Sequence, residues 1–205
     1  MKKIKKLKKF FNTYNIDGYL IPKNDEFFGE YIPSHKDNLK FISNFSGSYG
    51  YALILKKKNY LFVDGRYTLQ AKMQSGKQFK IMTIPKKYPS DILKNKNLTI
   101  GFDPKLHTDL INDRLFGKKN CNLLPINENL VNKIWIRKSN NLSGKFYKIN
   151  NKNSGESSKN KIKKVSKLLN TSKVNFQFIS APENVAWILN LRGLDSDFTP
   201  MPNSY

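Results

Sequence analysis

The apolar positions of the N-terminal segment recur at three- and four-residue steps. Ile4, Leu7, Phe11 and Tyr14 fall at this spacing, which places them on one face of an amphipathic helix. A short apolar run at residues 17–22 then ends in proline, which is typical of a strand. The chain therefore begins with a helix that leads into a strand.

The next apolar runs predict a hairpin and a helix. Residues 51–63 contain two apolar runs separated by "KKKN", which favours antiparallel strands joined by a turn. Residues 66–75 are then spaced like a helix, and Gly76 is placed to end it.

Strand and helix patterns alternate from residue 79 onward. We predict strands at 79–84, at 97–103 and in "NLLPI", and helices in "PSDILKN", "HTDLINDRLFG" and "NENLVNKIW". Thr108 or Asp109 can cap the second of these helices. Mixed strands separated by helices indicate an α/β fold, with a mixed sheet flanked by helices over residues 1–137.

The composition changes after Arg137. Residues 138–158 are rich in Lys, Asn and Ser, which predicts a linker. Ser157 or Ser158 can then begin a helix, followed by a strand at "NFQFIS" and a helix at "APENVAWILNL". This order repeats the start of the chain and suggests an internal duplication. Because a lone strand cannot bury a core, residues 159–205 either pack on the first domain or begin an incomplete second one, which we favour.

Charge and composition narrow the possible partners. Of the 205 residues, 39% are hydrophobic, so the chain is expected to fold. The net charge is +22, but only four of the 37 basic residues are arginine. Proteins that recognise bases and phosphates rely on arginine forks and clustered basic faces. We therefore predict a lysine-coated surface and do not expect nucleic acid as a partner.

The cysteine content and the hydropathy of the chain indicate the cellular compartment of the protein. Cys121 is the only cysteine, which excludes an internal disulfide bond and fits a reducing compartment. We expect this thiol to be partly buried and unreactive. The N-terminus is basic, but no apolar stretch of signal-peptide or transmembrane length follows it. The sequence thus predicts a cytoplasmic protein without a membrane partner.

Residues that carry catalytic chemistry are few. The two histidines, His35 and His107, have no further ligand at metal-binding spacing, and His107 is expected in a loop. No glycine-rich phosphate loop leads into a helix, and no serine has the surroundings of a nucleophile elbow. The residues alone predict no catalytic group and no metal site in this chain.

The stretch "FVDGRYTLQA" joins a predicted strand to a predicted helix. Asp64 can cap the helix that begins near Tyr67, and Gly65 can supply a positive backbone angle or a close approach. Arg66 can tie the turn to a carboxylate, or it can project from the strand end and hold a peptide carbonyl or carboxylate. The residues by themselves leave both roles of Arg66 open.

Several longer strings resemble one family. They are "FISNFSGSYGYALI", "LFVDGRYTLQA", "IGFDP", "PINENLVNKIW" and "APENVAWILNLRGLDSDFTPMPNSY". Their order is similar to that in the N-terminal part of the three-domain aminopeptidases P, cytosolic Xaa-Pro aminopeptidases with creatinase-like N-terminal domains. The resemblance covers residues 16–136 and 160–205.

The resemblance implies a domain organisation and an activity. Residues 1–137 correspond to creatinase-like domain I, residues 138–158 to the linker, and residues 159–205 to the start of a similar domain II. In the family, a pita-bread metallopeptidase domain follows and binds two divalent metal ions, usually manganese. The full-length enzyme is a homodimer that removes the residue before proline from peptides. The catalytic domain is absent from this sequence, which implies that the chain alone is inactive and serves substrate restriction and oligomerisation.

The family motifs carry over to a few positions. Arg66 matches an arginine that reaches the bound peptide from the N-terminal domain, so the resemblance implies a substrate-binding role for it. Asp64, Gly65 and Tyr67 match the same motif and are expected to support the turn. The second-domain motif is matched by Arg192, Gly193, Asp195 and Pro200, but "LDSD" departs from the usual shorter "SD", so no ligand role is expected for them.

Two alternatives remain from the sequence. Creatinase-like domains also occur in non-catalytic proteins, so the chain could be a stand-alone interaction module that binds an anionic or protein partner. A prolidase is the second alternative, and the beginning of a second creatinase-like unit argues against it.

Overall fold

The computed structural model describes residues 2–29, 31–94, 96–117, 121–137, 144–195 and 198–204. The chain divides into two structural units. The first comprises Met1–Glu26 and Ser34–Lys138, and the second comprises Phe27–Pro33 and Ser139–Tyr205.

A six-stranded sheet forms the centre of the first unit. Its strands are β1 (Gly18–Pro22), β2 (Gly50–Leu55), β3 (Asn59–Asp64), β4 (Lys80–Ile84), β5 (Leu98–Phe102) and β6 (Cys121–Pro125). They lie in the order β4, β3, β2, β1, β5, β6. The β1–β2 and β2–β3 pairs are antiparallel, whereas β3–β4, β1–β5 and β5–β6 are parallel. The predicted α/β fold with a mixed sheet is confirmed.

Both faces of this sheet are buried. Along β1, Tyr19 and Ile21 belong to one hydrophobic cluster and Leu20 belongs to the other, as the alternation of side chains along a strand requires. In β2, Ala52 lies on the first face and Leu53 on the second. Burial on both faces explains why the sequences of these strands are continuously apolar.

Helices cover the two faces of the sheet. They are α1 (Lys2–Lys8), α2 (Phe10–Thr13), α3 (Asn38–Ser43), α4 (Thr68–Ser75), α5 (Pro89–Leu93) and α6 (Asp109–Phe116). Side chains of α1 to α4 pack on the face that carries Tyr19. Side chains of α5 and α6 pack on the face that carries Leu20.

The predicted N-terminal helix is divided in two. A turn at Lys9 separates α1 from α2. Ile4, Leu7 and Phe11 are nevertheless all buried, so the spacing of the apolar positions correctly identified the face that packs on the sheet.

The start of α6 is capped by a side chain. Thr108 has an extended backbone, and its Oγ1 accepts a hydrogen bond from the backbone N–H of Ile111 at 3.3 Å. Of the two predicted caps, Thr108 is therefore the correct one.

We expect Thr108→Ala to lower the free energy of unfolding by about 1 kcal/mol, because an N–H group in the first turn loses its acceptor. Urea unfolding followed by circular dichroism measures this loss. Thr108→Ser keeps the hydroxyl and is expected to retain most of the stability. An equal loss in both variants would contradict the capping role.

Residues 127–135, predicted as a helix, form a series of turns. The side chain of Asn129 is buried, and its Oδ1 accepts a hydrogen bond from the backbone N–H of Val131 at 2.9 Å. A side chain that bonds to the neighbouring backbone competes with helical hydrogen bonds. The prediction of a helix is wrong here for that reason.

The second unit contains short strands and three helices among its described residues. They are β7 (Phe146–Lys148), β8 (Leu191–Gly193), α7 (Asn151–Ser154), α8 (Ser158–Thr171) and α9 (Pro182–Leu189). β7 pairs with β8 in antiparallel fashion. β7 and α7 lie within the segment predicted as a linker, whose described part therefore contains regular structure, and residues 138–143 of that segment lie outside the described residues.

Helix α8 begins where the sequence predicts and is held to α9 by a buried lysine. Ser157 caps α8 by accepting a hydrogen bond from the N–H of Asn160 at 3.2 Å. The Nζ of Lys161 donates to the carbonyl oxygen of Trp187 at 2.8 Å and to Oδ1 of Asn190 at 2.7 Å. Because Asn190 ends α9 in a left-handed conformation, Lys161 satisfies acceptors at the C-terminus of that helix.

Residues 175–180, predicted as a strand, have no regular secondary structure. A strand needs a neighbour to pair with its N–H and C=O groups. In the described part of this unit, β7 and β8 pair with each other. The apolar pattern alone could not supply a partner, and the strand prediction is wrong.

None of the helices within the described ranges is long and apolar enough to cross a bilayer.

Candidate functional site

The turn after β3 contains the predicted site residues, Asp64–Tyr67, which we call the DGRY turn. Asp64 ends β3, Gly65–Tyr67 form one turn of 3-10 helix, and α4 follows. Oδ1 of Asp64 accepts a hydrogen bond from the backbone N–H of Arg66 at 2.8 Å. Asp64 therefore caps the 3-10 turn that precedes α4, and not α4 itself.

The carboxylate of Asp64 also binds the Arg66 side chain. Nε of Arg66 donates to Oδ1 at 3.2 Å and to Oδ2 at 3.1 Å, and Nη2 donates to Oδ2 at 2.6 Å. The Arg66 side chain is 75% exposed and that of Asp64 is 23% exposed. Chiefly through this side-chain hydrogen bond, the guanidinium holds the pKa of Asp64 below its usual range. Asp64 in turn raises the pKa of Arg66.

The N–H groups on the outer edge of the Arg66 guanidinium are available to bind a ligand. An arginine side chain carries five N–H groups, and Asp64 accepts from the single N–H on Nε and from one of the two on Nη2. The remaining N–H groups have no acceptor among the described residues. The guanidinium carbon also lies 5.3 Å from the centre of the Tyr67 ring. This arrangement can hold a carboxylate or a carbonyl oxygen at a defined position.

A loop before β2 supports the DGRY turn. The hydroxyls of Ser48 and Tyr67 are 2.8 Å apart and share a hydrogen bond. Oγ of Ser46 accepts hydrogen bonds from Nε2 of both Gln70 and Gln74 at 2.9 Å. The sequence pattern did not predict this role of the serines, although the four-residue spacing of the glutamines on α4 was a usable signal.

Gly65 does not have the conformation that the sequence analysis expected. Its φ is not positive, and a Cβ atom added to it would meet no atom within 4 Å. Gly65 begins the right-handed 3-10 turn, so neither a positive backbone angle nor a close approach requires a glycine. The expectation of a positive backbone angle or a close approach at Gly65 is therefore wrong, whereas its support of the turn stays a prediction.

The "IGFDP" and "ENLVNKIW" strings meet at the end of β5. Oδ2 of Asp103 accepts a hydrogen bond from Nδ2 of Asn129 at 2.8 Å, and both side chains are buried. The backbone N–H of Leu130 donates to the hydroxyl of Tyr19 at 3.3 Å. These contacts fasten residues 127–135 to the sheet, which gives these motif residues a structural role.

Hydrogen bonds join the motif residues within the second unit. Oδ1 of Asp195 accepts a hydrogen bond from the N–H of Gly144 at 3.0 Å, and Oδ2 accepts one from the N–H of Asn203 at 2.9 Å. The N–H of Gly193 donates to the carbonyl of Pro200 at 2.9 Å. A Cβ on Gly193 would lie 2.8 Å from Cα of Pro202, so only glycine fits there without a shift of the backbone.

The remaining candidates for chemistry lie apart from the DGRY turn. His107 lies in a loop, as predicted, but its side chain is buried, and neither ring nitrogen has a hydrogen-bond partner among the described residues. Burial lowers the pKa of His107 to about 4. Cys121 is half-buried, and burial raises the pKa of its thiol.

The described residues do not fit a metal pair. No group of three or more His, Cys, Asp or Glu side chains in the described ranges could hold a metal ion.

Two family models with the same description, Creatinase/Prolidase N-terminal domain, match this chain. One matches residues 3–130 and the other matches residues 137–205. The two matches follow each other along the chain, as an internal duplication would require.

Curated relatives are longer than this chain. A protein named "Probable Xaa-Pro aminopeptidase P" from Coprinopsis cinerea is 32% identical over 216 residues, which cover 100% of this chain and 34% of the relative. A protein of the same name from Laccaria bicolor is 31% identical over 214 residues, which cover 99% of this chain and 33% of the relative. The chain thus spans about a third of the length of these relatives.

A solved structure extends the comparison to the fold. The X-prolyl aminopeptidase from Caenorhabditis elegans, described as a cytosolic enzyme with a di-nuclear active site, matches with a TM-score of 0.86 and 26% identity. The match covers 98% of this chain and 36% of that enzyme. The resemblance stated from the sequence is confirmed. The chain belongs to the creatinase/prolidase N-terminal domain family.

Proposed function

We propose that this chain is the N-terminal region of an Xaa-Pro aminopeptidase, a hydrolase that removes the residue preceding proline from peptides. The observation that carries the proposal is the ordered match of two family models to a chain whose relatives bear that name. In this proposal the chain restricts which peptides enter and supports oligomerisation. Catalysis belongs to the remainder of the enzyme.

The proposed enzyme has further parts that this chain lacks. In this proposal residues 1–137 form domain I, and domain II begins within residues 138–158, the segment predicted as a linker, and not at residue 159, because β7 pairs with β8. Exposed apolar side chains in the second unit support an incomplete domain, since Leu168 is 67% exposed and Phe176 is 88% exposed. Exposed groups of this kind are expected to be covered in the whole enzyme.

The cofactors and assembly of the whole enzyme are also proposals. Its catalytic domain is proposed to bind two divalent metal ions, with manganese as the metal. We further propose a cytoplasmic homodimer. The description of the C. elegans enzyme as cytosolic and di-nuclear supports the localisation and the number of metal ions.

Arg66 is the residue proposed to meet the substrate. Its exposed guanidinium is oriented by Asp64 and keeps N–H groups without acceptors among the described residues. A peptide carbonyl or carboxylate is the complementary group. Tyr67, held by Ser48, supports the turn from the side of α4.

The test of the proposed function is an assay of the complete gene product with manganese. We expect cleavage of a tripeptide with proline at the second position and no cleavage of its alanine counterpart. The 205-residue chain alone is expected to cleave neither. A complete transcript without a catalytic domain, or cleavage by the 205-residue chain itself, would overturn the proposal. The first outcome would favour a stand-alone interaction module.

We expect Arg66→Ala in the complete enzyme to lower kcat/KM for the proline tripeptide by about tenfold to hundredfold, because a charge-assisted hydrogen bond to substrate is lost. Steady-state kinetics measure the change. Arg66→Lys keeps the charge but loses the planar fork, so partial activity is expected. Lys72→Ala, an exposed change on α4, is the matched control. Unchanged kinetics for Arg66→Ala would restrict Arg66 to a structural role.

A further inference from the structure

Helix α1 presents a stripe of lysines to solvent. Ile4 and Leu7 on its inner side are 5% and 0% exposed. Its outer side carries three exposed lysines, Lys2, Lys5 and Lys6, and Lys9 in the turn after α1 is also exposed and keeps right-handed helical backbone angles. At about 3.6 residues per turn these four fall opposite the buried side chains, and the rise of about 1.5 Å per residue makes the stripe about 10 Å long.

The tertiary structure adds a second group of lysines beside this stripe. Nζ of Lys8 donates to the carbonyl oxygen of Lys56 at 3.1 Å, so the turn between β2 and β3 lies next to α1. Lys57 and Lys58 in that turn are exposed. We call Lys2, Lys5, Lys6, Lys9, Lys57 and Lys58 the α1 lysine face.

The charges on this face are not compensated locally. Residues 2–16 contain no Asp or Glu. The nearby carboxylate of Asp17 is paired with Lys56 at 2.7 Å, which does not belong to the face. None of the six lysines forms an ion pair within the described ranges. The face therefore presents a concentrated positive charge to an anionic partner.

The chemistry of the face distinguishes between anionic partners. Helices that bind lipid surfaces insert exposed apolar side chains between the headgroups, whereas Ile4 and Leu7 of α1 are buried in the core of the first unit. Lysine acts as a point charge towards phosphate oxygens and does not supply the planar fork that reads guanine. The scarcity of arginine therefore argues against reading of bases, but not against contact with phosphates.

Contrary to the expectation from the scarcity of arginine, we propose that the α1 lysine face binds the phosphodiester backbone of a nucleic acid duplex without sequence preference. Each strand of a duplex presents one phosphate per ~3.4 Å along the axis, so a stripe of about 10 Å spans about three phosphates. With the turn lysines, three to six phosphates come within reach. The logarithm of the binding constant is then expected to fall with the logarithm of salt concentration with a slope of about −3 to −5.

Fluorescence anisotropy with a labelled DNA duplex of about 20 base pairs, long enough for the expected phosphate contacts, tests this proposal on the 205-residue chain. The Lys5→Gln, Lys6→Gln, Lys9→Gln triple variant is expected to weaken binding and to reduce the salt slope by about 3, one per lost phosphate contact. A duplex of unrelated sequence is expected to bind equally well. Because the three side chains are exposed, circular dichroism of the variant should match that of the parent.

A matched control variant distinguishes binding through the α1 lysine face from binding that depends only on the overall positive charge. Lys159→Gln, Lys163→Gln, Lys167→Gln removes the same charge from exposed positions on α8 and is expected to leave most of the binding intact. Equal losses in the two triple variants, or no duplex binding at 50 mM salt, would overturn the proposal. So would binding to phosphatidylserine vesicles that the α1 triple variant abolishes while it leaves duplex binding unchanged.

Discussion

Asp37→Ala is expected to lower the free energy of unfolding by about 3–5 kcal/mol, because it leaves the ammonium of Lys23 buried without its partner. Lys23 follows β1, and its Nζ forms an ion pair with Oδ2 of Asp37, with side chains that are only 9% and 8% exposed. Oδ1 of Asp37 also caps α3 by accepting a hydrogen bond from the N–H of Lys40 at 2.9 Å. Urea unfolding followed by circular dichroism measures the loss.

Two further variants separate the charge of Asp37 from its capping role. Asp37→Asn keeps a good capping oxygen but removes the charge, so it isolates the cost of the unpaired lysine. Lys23→Met combined with Asp37→Asn removes both charges and is expected to recover most of that cost. Lys56→Ala breaks an exposed pair with Asp17 and should cost less than about 1 kcal/mol. A fully stable Asp37→Asn variant would show that the ion pair contributes nothing.

The free energy of unfolding is expected to fall by about 3 kcal/mol when the pH is lowered from 6.5 to 4, because the imidazole of His107 is buried. Burial lowers the pKa of this side chain from 6.5 to about 4. Asn112 opposes this shift in pKa, although it forms no hydrogen bond of good geometry with the imidazole. Within that window the unfolded chain binds a proton that the folded chain does not. The stabilisation is therefore complete above pH 6.5 and is lost as the pH falls towards 4. Unfolding curves at a series of pH values measure this.

His107→Gln removes the titration and keeps a polar side chain of similar reach. We expect the difference in unfolding free energy between parent and variant to shrink by about 3 kcal/mol as the pH falls from 6.5 to 4. The carboxylates with lowered pKa values, such as Asp17 and Glu26, contribute equally to the pH dependence of both proteins. Their contribution therefore cancels in the difference between parent and variant. A difference that does not depend on pH would contradict a buried neutral His107.

The strands of the first unit could be predicted because their signals are local. β2 and β3 are continuous apolar runs joined by a polar turn, and burial on both faces of the sheet produces that pattern. Which strands pair with each other in the sheet could not be predicted from the periodicity of the apolar positions. The parallel pairing of β1 with β5 joins Gly18 to Ile100, and such distant contacts depend on packing that no local pattern encodes.

The failed predictions have the same origin. The apolar spacing of residues 127–135 suits a helix, but the buried side chain of Asn129 accepts a hydrogen bond from the N–H of Val131 and donates one to Asp103, and these bonds hold the segment in turns. Residues 175–180 have a strand-like composition, but no strand among the described residues pairs with them. In both places the backbone conformation depended on a partner far along the chain, which is present for Asn129 and missing, among the described residues, for residues 175–180, and such partners lie outside the window that a sequence pattern samples.

The candidate site was only partly predictable. The position of Asp64 at the end of a strand predicted a cap, and the structure places that cap on the 3-10 turn. The hydrogen bond between Ser48 and Tyr67 joins a loop and a turn 19 residues apart, so the sequence offered no direct sign of it. Which N–H groups of Arg66 remain without acceptors is likewise a property of the folded turn.

The sequence by itself determined the α/β class, the buried face of the N-terminal helix, caps at Asp64, at Thr108 or Asp109 and at Ser157 or Ser158, and the motifs that identify the family. These features depend on side-chain periodicity and on hydrogen bonds between residues a few positions apart. Only the tertiary structure decided the strand order, the conformation of Gly65, the orientation of Arg66 and the meeting of lysines from α1 with those of a distant turn. Each of these depends on which segments pack together, and that choice is made by the burial of the whole core.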